Sequence, residues 1–463
     1  MSQDLWIQRL ADIVGESHLL LPSSDDFSKY EQDETEDLRF APQVVVKPSD
    51  AREIQEIVRL AEVERIPIVP RGGGTGLSGG ALATRGGIVL SLERINRILE
   101  IDERNFFVVV QPGVITQHLQ EAVEARGLFY PPDPASRGSC TIGGNIAENA
   151  GGPRALKYGV TKDYVYGLQA VLSGGALATF GGKRLKDVTG YNMVQLLVGS
   201  EGTLGIVTEI TLKLLALPKF RRTLLAPFDT VDAAAAAVPA IMARGVVPCA
   251  LEFMEQDCLK AIEEHRGTHV RFSDKAAVLL IEVDGNQEAA LDADMEIIAE
   301  VLDEQGAVDV FLAETAAQQT EIWDLRRSAG ESVKSICAYK EEDTVVPRSN
   351  LPALVKGVHE ICNRWGLRMI CYGHAGDGNL HCNILKADLS DDKWENELPA
   401  AIEQVFRLTV SLGGTISGEH GIGHVQRRYV ALAQSPAELE AQRRLKQALD
   451  PVGIFNPGKA LPD

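Results

Sequence analysis

The stretch PRGGGTGLSGG, Pro70–Gly80, decides how the chain is predicted to fold. It is preceded by the apolar run Ile66–Val69 and followed, after a turn, by a second apolar run, Gly87–Leu92. Its segment Gly74–Gly79 matches G-x-G-x-x-G, but in a nicotinamide-binding βαβ unit that pattern opens a helix whose N-terminus faces the pyrophosphate. A turn and a strand follow here instead, so the context argues against a Rossmann unit.

Glycine-rich loops recur farther along the chain. The backbone N–H groups of Arg71–Gly76 are unshielded by side chains and can form a nest for pyrophosphate oxygens, although an ordinary glycine-rich β-turn fits this loop equally well. A second loop, Gly138–Gly152 (GSCTIGGNIAENAGG), and a third glycine-rich turn, Val198–Gly205 (VGSEGTLG), favour an extended ligand lying across several loops. The Pro and Gly content of Pro131–Val160 predicts a long loop without a regular element.

Composition and charge exclude several classes of protein. A chain of 463 residues with 45% hydrophobic residues predicts two or three domains. A formal net charge of −19 disfavours nucleic-acid binding, which depends on basic patches. No apolar run approaches the roughly 18–20 residues of a membrane span, and no signal-peptide pattern is visible, so we expect a cytoplasmic protein. Seven cysteines without a CxxC pair argue against a disulfide framework and an iron–sulfur cluster.

The pattern of apolar residues changes near Leu217–Arg222. Before this point, predicted strands alternate with glycine-rich turns, and one amphipathic helix is predicted at about residues 115–125. After it, predicted strands and helices alternate as in repeated β-α-β units, and a last helix is predicted at about residues 437–449. This order of elements predicts an α+β fold.

Histidines gather in two short stretches near the C-terminus. Cys371–Asn383 (CYGHAGDGNLHCN) and Ser417–Gly423 (SGEHGIG) hold or adjoin four of the nine histidines: His374, His381, His420 and His424. On one uninterrupted strand His374 and His381, seven residues apart, would face opposite sides, so they can share a ligand only if the intervening GDGN forms a turn. With Glu419 they would suit Zn²⁺, Mn²⁺ or Fe²⁺ and leave positions open for a substrate. Polar loop residues that satisfy one another are the alternative.

Six segments, in order, resemble one flavoprotein family. The resemblance is to the vanillyl-alcohol oxidase and p-cresol methylhydroxylase superfamily, and within it to the branch of D-lactate dehydrogenase, glycolate oxidase and D-2-hydroxyglutarate dehydrogenase. The segments that carry it are Pro70–Gly80, Pro131–Val165, Gly199–Ile210, Gly373–His381, Ser417–Gly423 and Asn456–Lys459. It implies a two-part FAD-binding domain at 1–216, a substrate or cap domain with an antiparallel sheet and a metal site at 217–425, and C-terminal helices and a tail at 426–463 that return to the FAD domain.

The resemblance also implies where FAD binds. The flavin is expected to be non-covalent, because the first glycine loop lacks the histidine or cysteine that carries a covalent flavin in some relatives. The residues expected to contact FAD are Arg71, Gly72, Gly73, Gly74, Thr75, Gly76, Gly79, Pro132, Asp133, Ser139, Thr141, Gly143, Gly144, Asn145, Gly202, Ile206 and Asn456.

By the same resemblance, a divalent metal, Zn or Mn, is held by His374, His381 and Glu419, and His420 acts as the base. The substrate hydroxyl would be activated by the metal, and hydride would pass from the α-carbon to flavin N5. Substrate contacts are expected from Arg326, Lys340 and Asn383, because a cation is needed for the substrate carboxylate. For Arg326 and Lys340, a solvated surface charge is the competing interpretation.

Single positions bear on which 2-hydroxy acid is oxidised. Relatives that act on the five-carbon dicarboxylate carry a hydroxyl residue at Gly330 and usually Leu at Ala375, so this chain resembles the D-lactate and glycolate enzymes more closely. Asn383, however, is shared with the dicarboxylate enzymes, which keeps D-2-hydroxyglutarate as the alternative. A metal-dependent hydrolase with a vestigial nucleotide fold and an electron-relaying subunit are hypotheses from other classes.

The electron acceptor is the expected partner. A quinone, a cytochrome, an iron–sulfur subunit and an electron-transfer flavoprotein all fit, and such a partner could bring the protein to a membrane surface. A homodimer is also compatible with the sequence.

Overall fold

The computed structural model describes residues 3–462, which divide into two compact units. Unit 1 contains the chain through Gly151, Val160–Leu217 and the chain from Glu419 onward. Unit 2 contains Gly152–Gly159 and Pro218–Gly418. The boundaries predicted at 216/217 and 425/426 therefore fall at 217/218 and 418/419, and a short segment of the predicted first domain belongs to unit 2.

The strands, in chain order, are β1 (Leu19–Leu20), β2 (Val44–Val46), β3 (Ile68–Arg71), β4 (Ile88–Ser91), β5 (Ile98–Asp102), β6 (Phe107–Val110), β7 (Leu128–Phe129), β8 (Val165–Leu172), β9 (Ala176–Gly181), β10 (Ile206–Lys213), β11 (Leu215–Ala216), β12 (Phe220–Phe228), β13 (Ala250–Glu255), β14 (Ala277–Gly285), β15 (Phe311–Leu312), β16 (Tyr339–Val345), β17 (Arg368–Gly373) and β18 (Asn379–Leu385).

The α-helices are α1 (Gln3–Val14), α2 (Ala51–Glu64), α3 (Thr116–Glu124), α4 (Ile142–Glu148), α5 (Ala155–Tyr158), α6 (Met193–Leu197), α7 (Val231–Ala243), α8 (Gln256–Arg266), α9 (Glu288–Glu304), α10 (Ala316–Arg327), α11 (Ala329–Lys334), α12 (Leu351–Trp365), α13 (Leu398–Ser411), α14 (Val430–Ala433) and α15 (Pro436–Leu449). Among the helices of residues 3–462, none is long and apolar enough to cross a membrane.

Unit 1 is built on two larger sheets. The first has the order β1-β2-β4-β3, in which β2, β4 and β3 are parallel and β1 is antiparallel. The valine run of β2 is buried throughout, as is typical of parallel strands covered on both faces. The second sheet is antiparallel, with the order β5-β6-β10-β8-β9, and β7 pairs with β11 separately. These two sheets correspond to the two-part domain expected from the resemblance.

Helix α2 shows how the sequence sets the start of the first glycine loop. Asp50 caps α2 by accepting the N–H of Glu53, and the buried stripe that includes Ile54, Ile57 and Val58 packs against the parallel sheet. The helix ends at Arg65 in the left-handed conformation, and the chain then turns into β3. The first glycine loop follows directly after β3, which is an edge strand of the sheet.

Two short helices interrupt the stretch that was predicted to have no regular element. Helix α4 begins where the Thr141 side chain accepts the N–H of Gly144, and it buries Ile142 and Ile146. Helix α5 belongs to unit 2, because Lys157 and Tyr158 bind the Asp284 carboxylate there. The prediction of a continuous loop was wrong, since capping and packing outweigh the low helix propensity of glycine.

Unit 2 contains a seven-stranded antiparallel sheet with the order β15-β12-β14-β13-β17-β18-β16, which is the antiparallel sheet expected of a cap domain. Helices cover both faces. Ile370 and Tyr372 of β17 pack with residues of α8, α10 and α11, and we call this side the α8 face. The alternate residues of each strand point to the other side, which is covered by α7, α9, α12 and α13 and which we call the α12 face.

Candidate functional site

The glycine loops of unit 1 pack against one another. A Cβ added to Gly73 would overlap the carbonyl oxygen of Ser139, so the first and second loops meet backbone to backbone. A Cβ added to Gly202 of the third turn would lie 2.7 Å from Pro70 Cγ. Around Gly76, by contrast, the position of an added Cβ has no described heavy atom within 4 Å. Converging backbone with open space above the loop fits an extended cofactor such as FAD.

Three of the residues predicted to contact FAD use their side chains to support this loop structure. The Arg71 guanidinium lies over the Tyr30 ring at 5.5 Å and donates to the Lys29 carbonyl at 3.0 Å. Ile206 is buried in the core around the parallel sheet. Asn456 Nδ2 donates to the carbonyl oxygens of Gly80 and Glu201, at 3.0 and 2.7 Å. These side chains hold the loops in place, while Arg71 Nη1 is buried and makes no hydrogen bond among the described residues.

The residues predicted in the second loop lie in the first turns of α4 and in the segment that leads into it. Thr141 caps that helix, and Asn145 donates to Thr116 Oγ1 at 2.7 Å. Asp133 is 1% exposed and accepts from Arg137 at 3.3 Å. The remaining predicted residues of this region are Pro132, Ser139, Gly143 and Gly144.

Two carboxyl groups of unit 1 were not predicted: the buried Glu201 and the partly buried Glu148. Glu201 accepts the N–H groups of Ile422 and Gly423 at 2.8 and 2.7 Å, and these bonds hold the segment after Gly418 in unit 1. Burial and the neighbouring Glu201 raise the pKa of Glu148 well above its ordinary value, and its Oε2 makes no hydrogen bond among the described residues. Burial raises the pKa of Glu201 as well, but the N–H groups of Ile422 and Gly423 stabilise its charge and oppose that rise.

In unit 2, a turn brings His374 and His381 together. Strand β17 ends at Gly373, β18 begins at Asn379, and Gly378 between them has φ +82°. The predicted interruption of the strand is present. The imidazole centroids lie 5.3 Å apart with their planes at 86°.

A carboxylate that the sequence reasoning missed fixes the His374 ring. Glu252 of β13 is fully buried, and its two oxygens lie 2.9 and 2.8 Å from His374 Nδ1. With Nδ1 held by a carboxylate, Nε2 is the ring nitrogen that can bind a metal, an arrangement common among metal-ligating histidines. The signal was an acidic residue inside the apolar run CALEFM, because a buried charge requires a partner.

Arg326 lies against the same carboxylate. Its Nη2 is 2.7 Å from Glu252 Oε2, its guanidinium lies 5.1 Å from the Tyr372 ring centroid, and the residue is 6% exposed. The interpretation of Arg326 as a solvated surface charge is therefore wrong. Nε and Nη2 are buried, and neither makes an aligned hydrogen bond among the described residues.

The strand register separates the other two predicted substrate contacts. Asn383 is fully buried, and it shares the α8 face with His381 and with Glu341, its cross-strand partner. Lys340 pairs with Ile384, so its side chain points to the α12 face. The structure does not bring Lys340 together with His381 and Asn383, and the role predicted for it beside them is not carried forward.

Asp343 anchors the start of the second histidine stretch. Its Oδ2 accepts from Ser417 Oγ at 2.9 Å and from the Gly418 N–H at 2.8 Å, and its Oδ1 accepts from Asn379 Nδ2 at 2.7 Å. Asp343 stands opposite His381 in the sheet. The residues just before Glu419, through Gly418, are therefore fixed beside the strand that carries His381.

Glu419 and His420 follow in unit 1. A Cβ on Gly151 would lie 2.9 Å from Glu419 Oε2, and the His420 carbonyl accepts from Ser78 Oγ at 3.1 Å. His424, which lies outside the family pattern, packs edge-on against Phe40 at 5.5 Å.

Comparisons with known proteins identify the family. Residues 42–181 match the family model described as "FAD binding domain", and residues 217–460 match "FAD linked oxidases, C-terminal domain". Glycolate oxidase subunit GlcD of Bacillus subtilis (strain 168) is 44% identical over 93% of this chain and 91% of its own length. The D-lactate dehydrogenase of Anaerostipes hadrus is 37% identical over 90% and 89%. The D-2-hydroxyglutarate dehydrogenase of Stutzerimonas stutzeri (strain A1501) is 34% identical over 99% of both chains.

A solved structure supports the fold. p-Cresol methylhydroxylase with substrate bound superposes with a TM-score of 0.79 at 16% identity, covering 99% of this chain and 97% of that one. The two sheets of unit 1 and the antiparallel sheet of unit 2 agree with the fold of the vanillyl-alcohol oxidase and p-cresol methylhydroxylase superfamily. Because family models match both regions, the chain belongs to the FAD-linked oxidases and is an FAD-dependent oxidoreductase.

Proposed function

We propose that this enzyme oxidises a small D-2-hydroxy acid, D-lactate or glycolate, to the 2-oxo acid. The observation that carries the proposal is the buried arrangement of His374, Glu252 and Arg326 on the α8 face of unit 2. It offers a histidine oriented for metal binding beside a guanidinium suited to a carboxylate. Relatives named glycolate oxidase subunit and D-lactate dehydrogenase, each matched over about nine tenths of the chain, support this substrate class.

We propose that His374, His381 and Glu419 hold a divalent metal, Zn or Mn. Two imidazoles 5.3 Å apart and a carboxylate suit either ion. The bonds from Asp343 that fix Gly418 support Glu419 as the third ligand, because Glu419 is the next residue in the chain. When bound, the metal supplies a Lewis acid that lowers the pKa of the substrate hydroxyl, and FAD supplies the hydride acceptor.

The chain's own groups then bind the substrate and move its proton. Arg326 would supply positive charge for the substrate carboxylate; its Nη2 is paired with Glu252, and its buried Nε makes no hydrogen bond among the described residues. Asn383 Nδ2 donates hydrogen bonds to the carbonyl oxygens of Ile370 and His381, which leaves Oδ1 as a hydrogen-bond acceptor on the same face. His420 takes the hydroxyl proton as the general base.

D-2-Hydroxyglutarate is the second candidate substrate. Asn383, which is shared with the dicarboxylate enzymes, is fully buried on the face of the sheet that carries His381. The residue at position 330 argues against this substrate, because it is glycine where the dicarboxylate enzymes carry a hydroxyl residue. A Cβ at this position would lie 3.5 Å from the Tyr372 hydroxyl, an ordinary contact distance. Space for a hydroxyl residue exists, but the chain does not supply one.

We also propose that the reduced flavin passes its electrons to a separate cytoplasmic or membrane-surface partner. The support is that relatives are named as subunits of glycolate oxidase. A metal-dependent hydrolase is no longer a candidate, because the chain is an FAD-linked oxidoreductase.

A substrate panel tests the proposal. FAD-loaded protein should reduce an artificial dye with D-lactate or glycolate, lose that activity with a chelator, regain it with Zn²⁺ or Mn²⁺, and respond weakly to L-lactate. Arg326→Ala should lose most of kcat/KM with flavin content unchanged. Arg327→Ala, in which the neighbouring arginine that stacks on Trp323 at 5.1 Å is removed, is the matched control. Activity that resists chelation would overturn the metal role, and a preference for D-2-hydroxyglutarate would overturn the substrate.

A further inference from the structure

A second group of ligating side chains lies on the α12 face of unit 2. It consists of Glu255 at the end of β13, His359 on α12 and Cys371 on β17. One carboxylate oxygen, one ring nitrogen and the sulfur all lie within 4.8 Å of one another. His359 Nε2 is 2.7 Å from Glu255 Oε1.

The sheet separates this group from the site proposed above. Tyr372 stands opposite His381 on the α8 face, whereas Cys371 stands opposite Cys382 on the α12 face. The β13–β17 pairing runs through Met254 and Tyr372, and extending it by one pair places Glu255 opposite Cys371. Carboxylate and thiols therefore form a row across neighbouring strands, under helix α12.

Packing of apolar groups does not account for this arrangement. Buried cysteine alone is an ordinary core residue, but a buried carboxylate and an imidazole nitrogen within 4.8 Å of its sulfur are not. Glu255 is 5% exposed and Cys371 fully buried, whereas the His359 side chain is 37% exposed. Cys382 Sγ lies 4.0 Å from Cys371 Sγ. The group thus has a soft, buried end and an end open to solvent at His359.

We propose that Glu255, His359 and Cys371 form a second metal site, for Zn²⁺ or a similar borderline-soft divalent ion. One sulfur, one nitrogen and one oxygen ligand match the zinc donor set, with the fourth position taken by water at the exposed end. On binding, Cys371 releases its proton to solvent and ligates as the thiolate. One carboxylate, one thiolate and a neutral imidazole then balance the two positive charges, so the buried site is neutral overall.

Metal binding here would stabilise the site proposed above, at the two strand ends that carry Glu252 and His374. Glu255 lies three residues after Glu252 on β13, and Cys371 three residues before His374. An ion that joins β13, β17 and α12 fixes, from the opposite face of the sheet, the two strand ends that bring Glu252 to His374.

X-ray absorption at the zinc edge separates the two sites, because the proposed active-site ligands include no sulfur. FAD-loaded enzyme, equilibrated with Zn²⁺ and desalted, should show zinc–sulfur scattering at about 2.3 Å. Cys371→Ser should lose that scattering and one zinc per chain, and Cys337→Ser, which removes a partly exposed cysteine elsewhere, should keep both. His374→Ala should keep the zinc–sulfur scattering. Loss of the proposed active-site metal can therefore be distinguished from loss of zinc at this second site.

His359→Gln is the second variant, in case the substitution of the buried Cys371 prevents folding, because His359 is partly exposed. It should also lose the sulfur-ligated zinc, with flavin content and far-ultraviolet circular dichroism unchanged. Absence of zinc–sulfur scattering in the wild type, or its persistence in a folded Cys371→Ser or His359→Gln, would overturn the proposal.

Discussion

Replacing Glu252 by glutamine tests whether this buried carboxylate orients the His374 imidazole. Two donors converge on it: His374 Nδ1 lies 2.9 and 2.8 Å from its two oxygens, and Arg326 Nη2 lies 2.7 Å from one of them. A glutamine offers one oxygen and one NH₂ group, so one donor must face another donor. Removing a carboxylate that supports a metal-ligating histidine typically costs about 10–100-fold in metal affinity or activity, and we expect a loss in that range.

The charge effect adds to the loss of orientation. Because Glu252 is fully buried and Arg326 is 6% exposed, the substitution leaves the guanidinium without its counter-charge. Breaking a buried pair in this way costs about 3–5 kcal/mol, so the apparent Tm of the variant should fall as well.

Metal affinity, measured by competition with a chelator, and kcat/KM for D-lactate are the two readouts, with flavin content as the check on unit 1. Glu282→Gln is the matched control. This carboxylate is also buried on the α8 face, but it accepts from Trp323 Nε1 at 2.7 Å and Thr223 Oγ1 at 2.8 Å instead of from a histidine. The control should lose stability and keep metal affinity. A Glu252→Gln enzyme with wild-type metal affinity would show that the His374 ring needs no such support.

Three further substitutions test other contacts. Asp343→Asn replaces an oxygen that anchors Gly418 with a group that can donate, and kcat/KM should fall at least about tenfold with flavin retained; unchanged kinetics would contradict the anchoring role. Gly378→Ala forces an L side chain into φ +82°, where its Cβ would overlap the Val346 carbonyl oxygen, and should cost about 1–3 kcal/mol in thermal unfolding; an unchanged Tm would contradict this strain. The raised pKa of Glu148 means that the folded state holds a proton which the unfolded chain releases near pH 4.5, so wild-type stability falls as pH rises above that value. Glu148→Gln should remove this slope, and its Tm relative to wild type should increase from pH 5 to pH 8; a parallel pair of curves would refute it.

Local signals explain which parts of the site were predictable. The glycine loops and the GDGN turn are encoded by adjacent residues, and helices α3 and α15 lie within one residue of the predicted ranges. Helix α4 was missed because its stability comes from the burial of Ile142 and Ile146 rather than from its glycine-rich sequence.

Long-range contacts were not readable from the sequence. Glu252 meets His374 across 122 residues, and Asp343 meets Gly418 across 75. Lys340 illustrates the same limit, because a shift of one residue in register moves a side chain to the opposite face of a strand. Sequence periodicity locates strands but does not fix which neighbour each will pair with.

Two contacts make the first glycine loop and the strand before it depend on a segment that is remote in sequence. Phe455 forms a parallel bridge to Ile68, and Asn456 donates to the carbonyl oxygen of Gly80, 376 residues away. This part of unit 1 therefore cannot be completed during synthesis until residues 455 and 456 have been translated. A chain cleaved before Ile454 would leave β3 and Gly80 without these two contacts.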